Sequence, residues 1–299
     1  MSAYHVPVLL EESVAGLNIQ PDGTYVDVTF GGGGHSKAII EKLNEGMLIA
    51  FDQDIDAAAN KLNDDRLIFI NQNFKHLKRM LRVHGITEVD GILADLGISS
   101  YQVDTSERGF AHRFEGPLDM RMDKSGSLTA EDILNAYAPS QLQRIFGMYG
   151  EVRNARTLAQ VIADARVNGR IESVGRLLEV IAPAIKGNRN RYLSQVFQAL
   201  RMEVNDELAV LADFLEQSKQ VLKTGGRLVV ISYHSIEDRL VKNFIRHGNA
   251  TGEPVKDFFG REEKYFHSLT KKPVEPSAAE IGNNPRAHSA RLRIAERTK

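Results

Sequence analysis

Four consecutive glycines, Gly31 to Gly34, follow a short β-branched run, Tyr25 to Thr29, and lead into Lys37 to Leu43, which has helical spacing. A strand, a glycine turn and a helix in that order let backbone approach a ligand closely, with peptide N–H groups facing it at the helix start. Four glycines together are costly in conformational entropy, which makes a turn without a ligand the weaker reading. Two phosphate motifs fail here by one glycine each. A dinucleotide fingerprint counted from Gly31 needs glycine where Ser36 stands, and a Walker loop needs Gly-Lys where the chain has Ser36-Lys37.

The surrounding sequence alternates strand and helix patterns. Met47 to Phe51, Leu67 to Ile70 and Gly91 to Ala94 are short continuous apolar runs, suited to strands buried on both faces, and Ile55 to Leu62 and Asn73 to Val83 leave room for helices between them. This is the rhythm of a doubly wound α/β sheet. It breaks after Gly97. Tyr101 to Ser125 is polar and turn-rich, and helical patterns then run through Thr129 to Ala136, Pro139 to Tyr149, Ala155 to Asn168, Ser173 to Ile181 and Asn205 to Gln220. A turn at Gly225-Gly226 restores the sheet with a strand at Arg227 to Ser232 and a helix at Ile236 to Arg246; Tyr265 to Leu269 and Ala290 to Ala295 are further strand candidates. The expected architecture is an α/β fold with a mostly parallel sheet, interrupted by an inserted helical domain. Its segments are 1–100, 101–205 and 206–299, with the helical part over the carboxyl edge of the sheet.

Composition removes several functions. The absence of cysteine excludes a disulfide framework, a thiolate nucleophile and a cysteine metal site. No stretch of about 18 residues stays apolar, and the first residues lack the basic start of a secretory signal, so a cytoplasmic protein with no membrane span is expected. The balance of 38 Lys and Arg against 39 Asp and Glu hides local excess. Arg153 to Arg191 carries eight bases against three acids and Lys242 to Lys299 twelve against seven, enough to present basic surface to a polyanion.

Two acids mark the sheet edge beside the glycines. Asp52 follows the second strand, nineteen residues beyond Gly33, where a carboxylate can accept both hydroxyls of a ribose. Nicotinamide enzymes and S-adenosylmethionine enzymes share that placement, and Asp52 or Asp54 also suits a plain helix cap. The fourth strand ends in Asp95-Leu96-Gly97, putting a second carboxylate near the reacting group and favouring the methyltransferase arrangement. His234 follows the fifth strand without a second histidine at metal-ligand spacing, and no G-x-S-x-G elbow supports a hydrolase triad with Ser232 or Ser235. Ser235 is the candidate cap of the next helix, and Ser232 and His234 are candidate lining of a substrate mouth.

Six stretches together resemble the ribosomal RNA small subunit methyltransferase H family: HVPVLL from His5, the turn ending Gly33-Gly34-His35-Ser36, DGILADLGISS from Asp90, DTSERGFAHRFEGPLDMRM from Asp104, GGRLVVISYHSIEDR from Gly225, and NPRAHSARLRIAERT from Asn284. The resemblance spans the chain. It implies a class I methyltransferase domain with a helical insertion that transfers a methyl group from S-adenosylmethionine to N4 of cytidine 1402 in 16S rRNA, without a metal. It places cofactor contacts at Gly33, Gly34, His35, Asp52, Phe74, Asp95 and Gln102, with Asp52 on the ribose, Phe74 on adenine, and Asp95 and Gln102 toward the methionine and reacting end. The partner it implies is 16S rRNA in the small subunit or a late assembly intermediate, with a homodimer as a candidate assembly. Gly32 stands where relatives commonly carry a larger residue, Tyr101 replaces a common proline, and the Pro-Pro-aromatic motif of DNA amino-methyltransferases is missing after Asp95.

N4 of cytosine is a poor nucleophile because its lone pair is delocalised into the ring, so catalysis should rest on alignment with the methyl group and on an oxygen that accepts the departing proton. Asp95 is the candidate acceptor. Arg153, Arg156, Arg166, Arg170, Arg176, Arg286, Arg291 and Arg293 are expected to meet phosphates. A nicotinamide oxidoreductase lacks its third glycine here, and a noncatalytic RNA-binding module would not need the cofactor acids.

Overall fold

The computed structural model describes residues 7–254, 258–260 and 262–299; His5 and Val6 of the first motif lie outside them. Seven strands form one sheet: β1 (Thr24–Asp27), β2 (Met47–Phe51), β3 (Leu67–Ile70), β4 (Val89–Asp95), β5 (Leu222–Ser232), β6 (Phe266–Ser268) and β7 (Arg291–Arg297). Their spatial order is β3-β2-β1-β4-β5-β7-β6. Strands β1 to β5 pair in parallel, while β7 runs antiparallel to both β5 and β6. The order reverses between β1 and β4, so the crevice outside their carboxyl ends is the place where an open α/β sheet takes a ligand.

The helices are α1 (Leu10–Leu17), α2 (Gly34–Ile40), α3 (Leu77–Val83), α4 (Ser100–Asp104), α5 (Ala130–Ala136), α6 (Pro139–Met148), α7 (Ala155–Ala165), α8 (Val174–Ile181), α9 (Arg189–Val204), α10 (Glu207–Val221), α11 (Ser235–His247) and α12 (Ala278–Asn283). The chain divides into two compact units, one of residues Met1–Gly97 with Leu208–Lys299 and one of Ile98–Glu207.

Within the first unit, the apolar strand runs bury alternate residues on opposite faces. Ile49, Phe51, Ile92, Ala94, Leu228 and Val230 meet Leu77 and Leu81 of α3, Phe214 of α10 and Phe244 of α11. Leu48, Ala50, Leu93, Val229 and Ile231 meet Val14 and Leu17 of α1 and Ile39 of α2. The second unit packs α5 to α9 around its own core, including Ile133, Phe146, Leu158, Ile162, Leu177 and Phe197. Truncating a fully buried ring such as Phe146 to alanine would cost about 3 to 5 kcal/mol.

Three elements differ from the sequence expectation. Ile55 to Leu62 forms a 3-10 turn over Ile55–Asn60 rather than a helix: Ala57 alone of that turn is buried and Ile55 is exposed, so no apolar face holds a longer helix down. Gly225 and Gly226 lie inside β5 as extra residues, where pairing jumps from Val89 opposite Leu222 to Gly91 opposite Arg227. The longest helix among the described residues, α9 with 16 residues, has no counterpart in the sequence expectation because Arg, Asn and Gln dilute its apolar side chains, yet Tyr192, Leu193, Val196, Phe197 and Leu200 are all buried.

Candidate active site

The glycine turn leaves β1 and is braced at both ends. Gly33 has φ 76 and caps α2, and a Cβ on Gly34 would collide with Cγ of Pro7, so neither position accepts a side chain without rearrangement. Gly32 has open space around it and no positive φ, so a side chain would fit there.

Asp52, just beyond β2, reaches across to this turn. Its Oδ2 accepts from the Gly31 N–H at 2.8 Å and its Oδ1 from the Asp54 N–H at 2.8 Å. Two fixed backbone donors set the carboxylate plane and leave lone pairs on both oxygens, which is what a ribose diol needs. Asn60 Nδ2 donates to the Gly31 carbonyl and Asn71 Nδ2 to the Asp52 carbonyl, tying the exits of β1, β2 and β3 together. Burial pushes the Asp52 carboxyl up to about 6, against the lowering effect of its two backbone donors. Asp54 accepts from the Asp56 N–H, so the plain cap is Asp54 and not Asp52. Phe74 follows β3, rests edge-on against Phe214 with centroids 5.3 Å apart, and keeps part of its surface open.

At the end of β4 the surroundings of the acid are different. The Asp95 N–H donates to Thr29 Oγ1, while its Oδ1 accepts a 2.8 Å hydrogen bond from the Tyr233 hydroxyl. His35 Nε2 lies 3.1 Å from the Val8 carbonyl, and because a carbonyl only accepts, that nitrogen carries the proton. Nδ1 of the same ring is turned to Asp95 Oδ2 at 3.8 Å. Burial raises the Asp95 carboxyl to about 6, with His35 and the Tyr233 hydrogen bond pulling it down and Asp27 and Glu237 pushing it up. Asp27 is fully buried, accepts from Ser36 Oγ at 2.6 Å, and is itself raised by that burial. Three partly or wholly desolvated carboxylates along one sheet edge favour a cationic ligand, which would restore their charged forms.

Tyr233 and Asp27 were missed by sequence reasoning. The signal for Tyr233 was its place one residue beyond β5, at the same edge as Asp95; Asp27 was read only as part of β1.

The other candidates separate. Ser232 is buried and its hydroxyl faces the Arg291 carbonyl on β7, so it does not line a mouth. His234, not Ser235, caps α11: its Nδ1 accepts from the Glu237 N–H and its Nε2 lies 3.1 Å from Glu237 Oε1, while Glu237 Oε2 accepts from the Tyr233 N–H. Arg293 is buried in a bidentate pair with Asp238, and Arg166 donates to the carbonyls of Leu134 and Tyr137; neither is free for phosphate. Arg170 pairs with Glu131 and Arg176 with Glu179, both at the surface. Arg291 is exposed, 3.6 Å from Asp238. In the helical unit, Arg153 and Arg156 are exposed and pair with no carboxylate among the described residues. Gln102 is buried there, with Oε1 accepting from the Ser99 N–H in the capping box of α4, while Tyr101 beside it is exposed.

A mostly parallel sheet of this order, with a glycine turn after β1 and acids at the ends of β2 and β4, defines a class I S-adenosylmethionine-dependent methyltransferase with an inserted helical domain. Residues 2–298 match the MraW methylase family, and the chain belongs to that family. It is 56% identical over 297 residues to ribosomal RNA small subunit methyltransferase H of Cytophaga hutchinsonii, covering 98% of this chain and 99% of that one. The proteins of the same name from Bacteroides fragilis (strain YCH46) and Flavobacterium psychrophilum are 52% and 54% identical, over 99% and 97% of this chain and 98% and 100% of their own.

Proposed function

We propose that the protein transfers a methyl group from S-adenosylmethionine to N4 of cytidine 1402 in 16S rRNA. The observation that carries this reading is the full-length match at 56% identity to a small-subunit rRNA methyltransferase. The acid-lined edge of β1, β2 and β4 is consistent with it. Asp52 holds the ribose hydroxyls, Phe74 contacts adenine, and Gly33, Gly34 and His35 give the turn on which the cofactor lies. Asp95 and Gln102 are assigned to the methionine and reacting end. The acid edge suits a donor that is cationic at sulfur and at its amino group.

When bound, S-adenosylmethionine supplies an electrophilic methyl group, whose bond to sulfur breaks with its electron pair staying on sulfur as N4 attacks. Asp95 orients the amino group through Oδ2 and takes the proton that N4 sheds. Tyr233 holds Oδ1 and so fixes the side chain that does this. The cytosine must leave its stack to reach this edge, and an unpaired or bent RNA context lowers that cost.

The helical unit is assigned to the RNA, with Arg153 and Arg156 on phosphates and Arg291 as a further contact from β7. His234 is retained as a rim residue acting through Tyr233 and Glu237. The preferred RNA is 16S rRNA within the small subunit or a late assembly intermediate in the cytoplasm; a homodimer is the candidate assembly. Methyl transfer measured on naked 16S rRNA, assembly intermediates and mature small subunits, followed by mapping of the modified atom, tests the assignment. Methylation at N4 of that cytidine is expected, strongest on particles; transfer to another atom or none on any of these RNAs refutes it.

A further inference from the structure

We propose that the exposed face of α3 is a second RNA-backbone surface, on the cofactor-binding unit itself and separate from the arginines of the helical unit. Lys75, Lys78, Arg79 and Arg82 recur at helical spacing i, i+3, i+4 and i+7 along α3 and the turn leading into it, so they share one side. Lys75, Arg79 and Arg82 are exposed, and no carboxylate pairs with any of the three among the described residues. Lys78 is partly buried and gives its ammonium to Gln220 Oε1. Lys78, Arg79, Arg82, Val83 and Gln217 wall a shallow open groove.

The cations are not an ordinary mixed surface. From Arg66 through Thr87 the sequence contains no Asp or Glu, in a chain that otherwise has 39 acids among 299 residues. Solvated helices usually intersperse both signs, and each i,i+4 pair of opposite charge would add a few tenths of a kcal/mol. Here that gain is absent and like charges crowd instead: Lys75 and Arg79 both depress the neighbouring His76, after burial. A polyanion would relieve the crowding. The face is also anchored, because Gln217 of α10 accepts from the Lys78 N–H and donates to the Lys75 carbonyl, and Leu77 and Leu81 are buried on its inner side.

Its position gives the face a use. Phe74, the proposed adenine contact, immediately precedes Lys75, so the stripe starts at the cofactor edge and runs about 10 Å away from it along the helix. RNA phosphates flanking the target cytidine are therefore the occupant that the charge and the placement fit. The inference rests on the rRNA reading of the function.

The test is equilibrium binding of a 16S rRNA fragment containing the target site across a salt titration, with the variant Lys75→Gln/Arg79→Gln/Arg82→Gln and its charge-conserving counterpart Lys75→Arg/Arg79→Lys/Arg82→Lys. Three lost phosphate contacts should flatten the slope of log affinity against log salt by about 2. S-adenosylmethionine affinity should be unchanged, and the charge-conserving variant should keep the wild-type slope. A slope unchanged in the neutral variant overturns the proposal, as does equal loss in both variants, which assigns the effect to packing. Tighter wild-type binding to polyglutamate of matched charge also overturns it by assigning the face to an acidic protein. The readout is binding alone, so failure of wild-type methyl transfer would count against the proposed reaction and not against this face.

Discussion

The exits of β2 and β4 carry acids raised to about the same value by the same cause, yet they are held in opposite ways. Asp52 is fixed by two backbone N–H groups, from Gly31 of the glycine turn and from Asp54 two residues on. Asp95 is fixed by a tyrosine hydroxyl and faced by a histidine whose second nitrogen is committed to a carbonyl. Backbone donors are present whatever the side chains are, and they suit an acid whose task is to bind the same diol every turnover. Side-chain donors can be altered one at a time, and they suit an acid whose basicity must match a proton transfer. On the proposed assignment, the difference divides binding from chemistry along one sheet edge.

The largest expected effect that would break this division is at Asp95. Asp95→Asn keeps the size and one acceptor oxygen but removes the charge, and single-turnover transfer at saturating RNA and S-adenosylmethionine should slow by about a hundredfold or more, with cofactor affinity changed much less. A near-normal rate in the folded variant would remove the proton-acceptor role and leave Asp95 as a positioning group. Asp52→Ala should do the reverse. Losing hydrogen bonds to a charged acceptor costs about 1.5 to 3 kcal/mol, or roughly one to two decades in cofactor Kd, while the rate at saturation is largely kept. Calorimetry giving wild-type affinity in a folded Asp52→Ala protein would contradict the ribose assignment. Asp52→Asn is the milder control, because it can still accept from the Gly31 N–H.

The same contrast explains what could be read before the structure. Asp52 and Asp95 were legible because each directly follows an apolar run whose strand character fixes where the next residue emerges. The interruption after Gly97 and the return at β5 were legible from the change in periodicity. What holds each acid was not legible, because the partners come from distant sequence: Tyr233 lies 138 residues from Asp95, and β5 must first pair with β4 to bring them to one edge. Arg293 failed for a related reason. Sequence counts its charge as free, but β7 lies between β5 and β6 and turns that side chain onto Asp238 of α11, where the pair is buried. Charge excess along a segment therefore overstates the charge available to RNA, and α3 differs because no carboxylate pairs with Lys75, Arg79 or Arg82 among the described residues.

The smallest expected change, and the one that sharpens the comparison most, is at Tyr233. As a carboxylate, Asp95 can accept a proton; protonated, it cannot. With its pKa raised to about 6 in the free protein, kcat/KM for transfer should be full above that value and fall as pH drops through it. The Tyr233 hydroxyl donates to the charged form and lowers the pKa, so Tyr233→Phe should move this acidic limb upward. A hydrogen bond to a charged group is worth about 1.5 to 3 kcal/mol, and one unit of pKa about 1.4, which puts the shift at roughly one to two units. At pH 8 the variant's single-turnover rate should fall only a few fold, and cofactor affinity should hold, because Asp52 and its backbone donors are untouched. A simple structural loss would lower the rate equally at every pH. The pH profile separates the two: a limb displaced upward assigns Tyr233 to tuning Asp95, whereas a uniformly lowered profile with the limb in place would mean that the hydroxyl only supports the strand exit and that side-chain and backbone holding are equivalent after all.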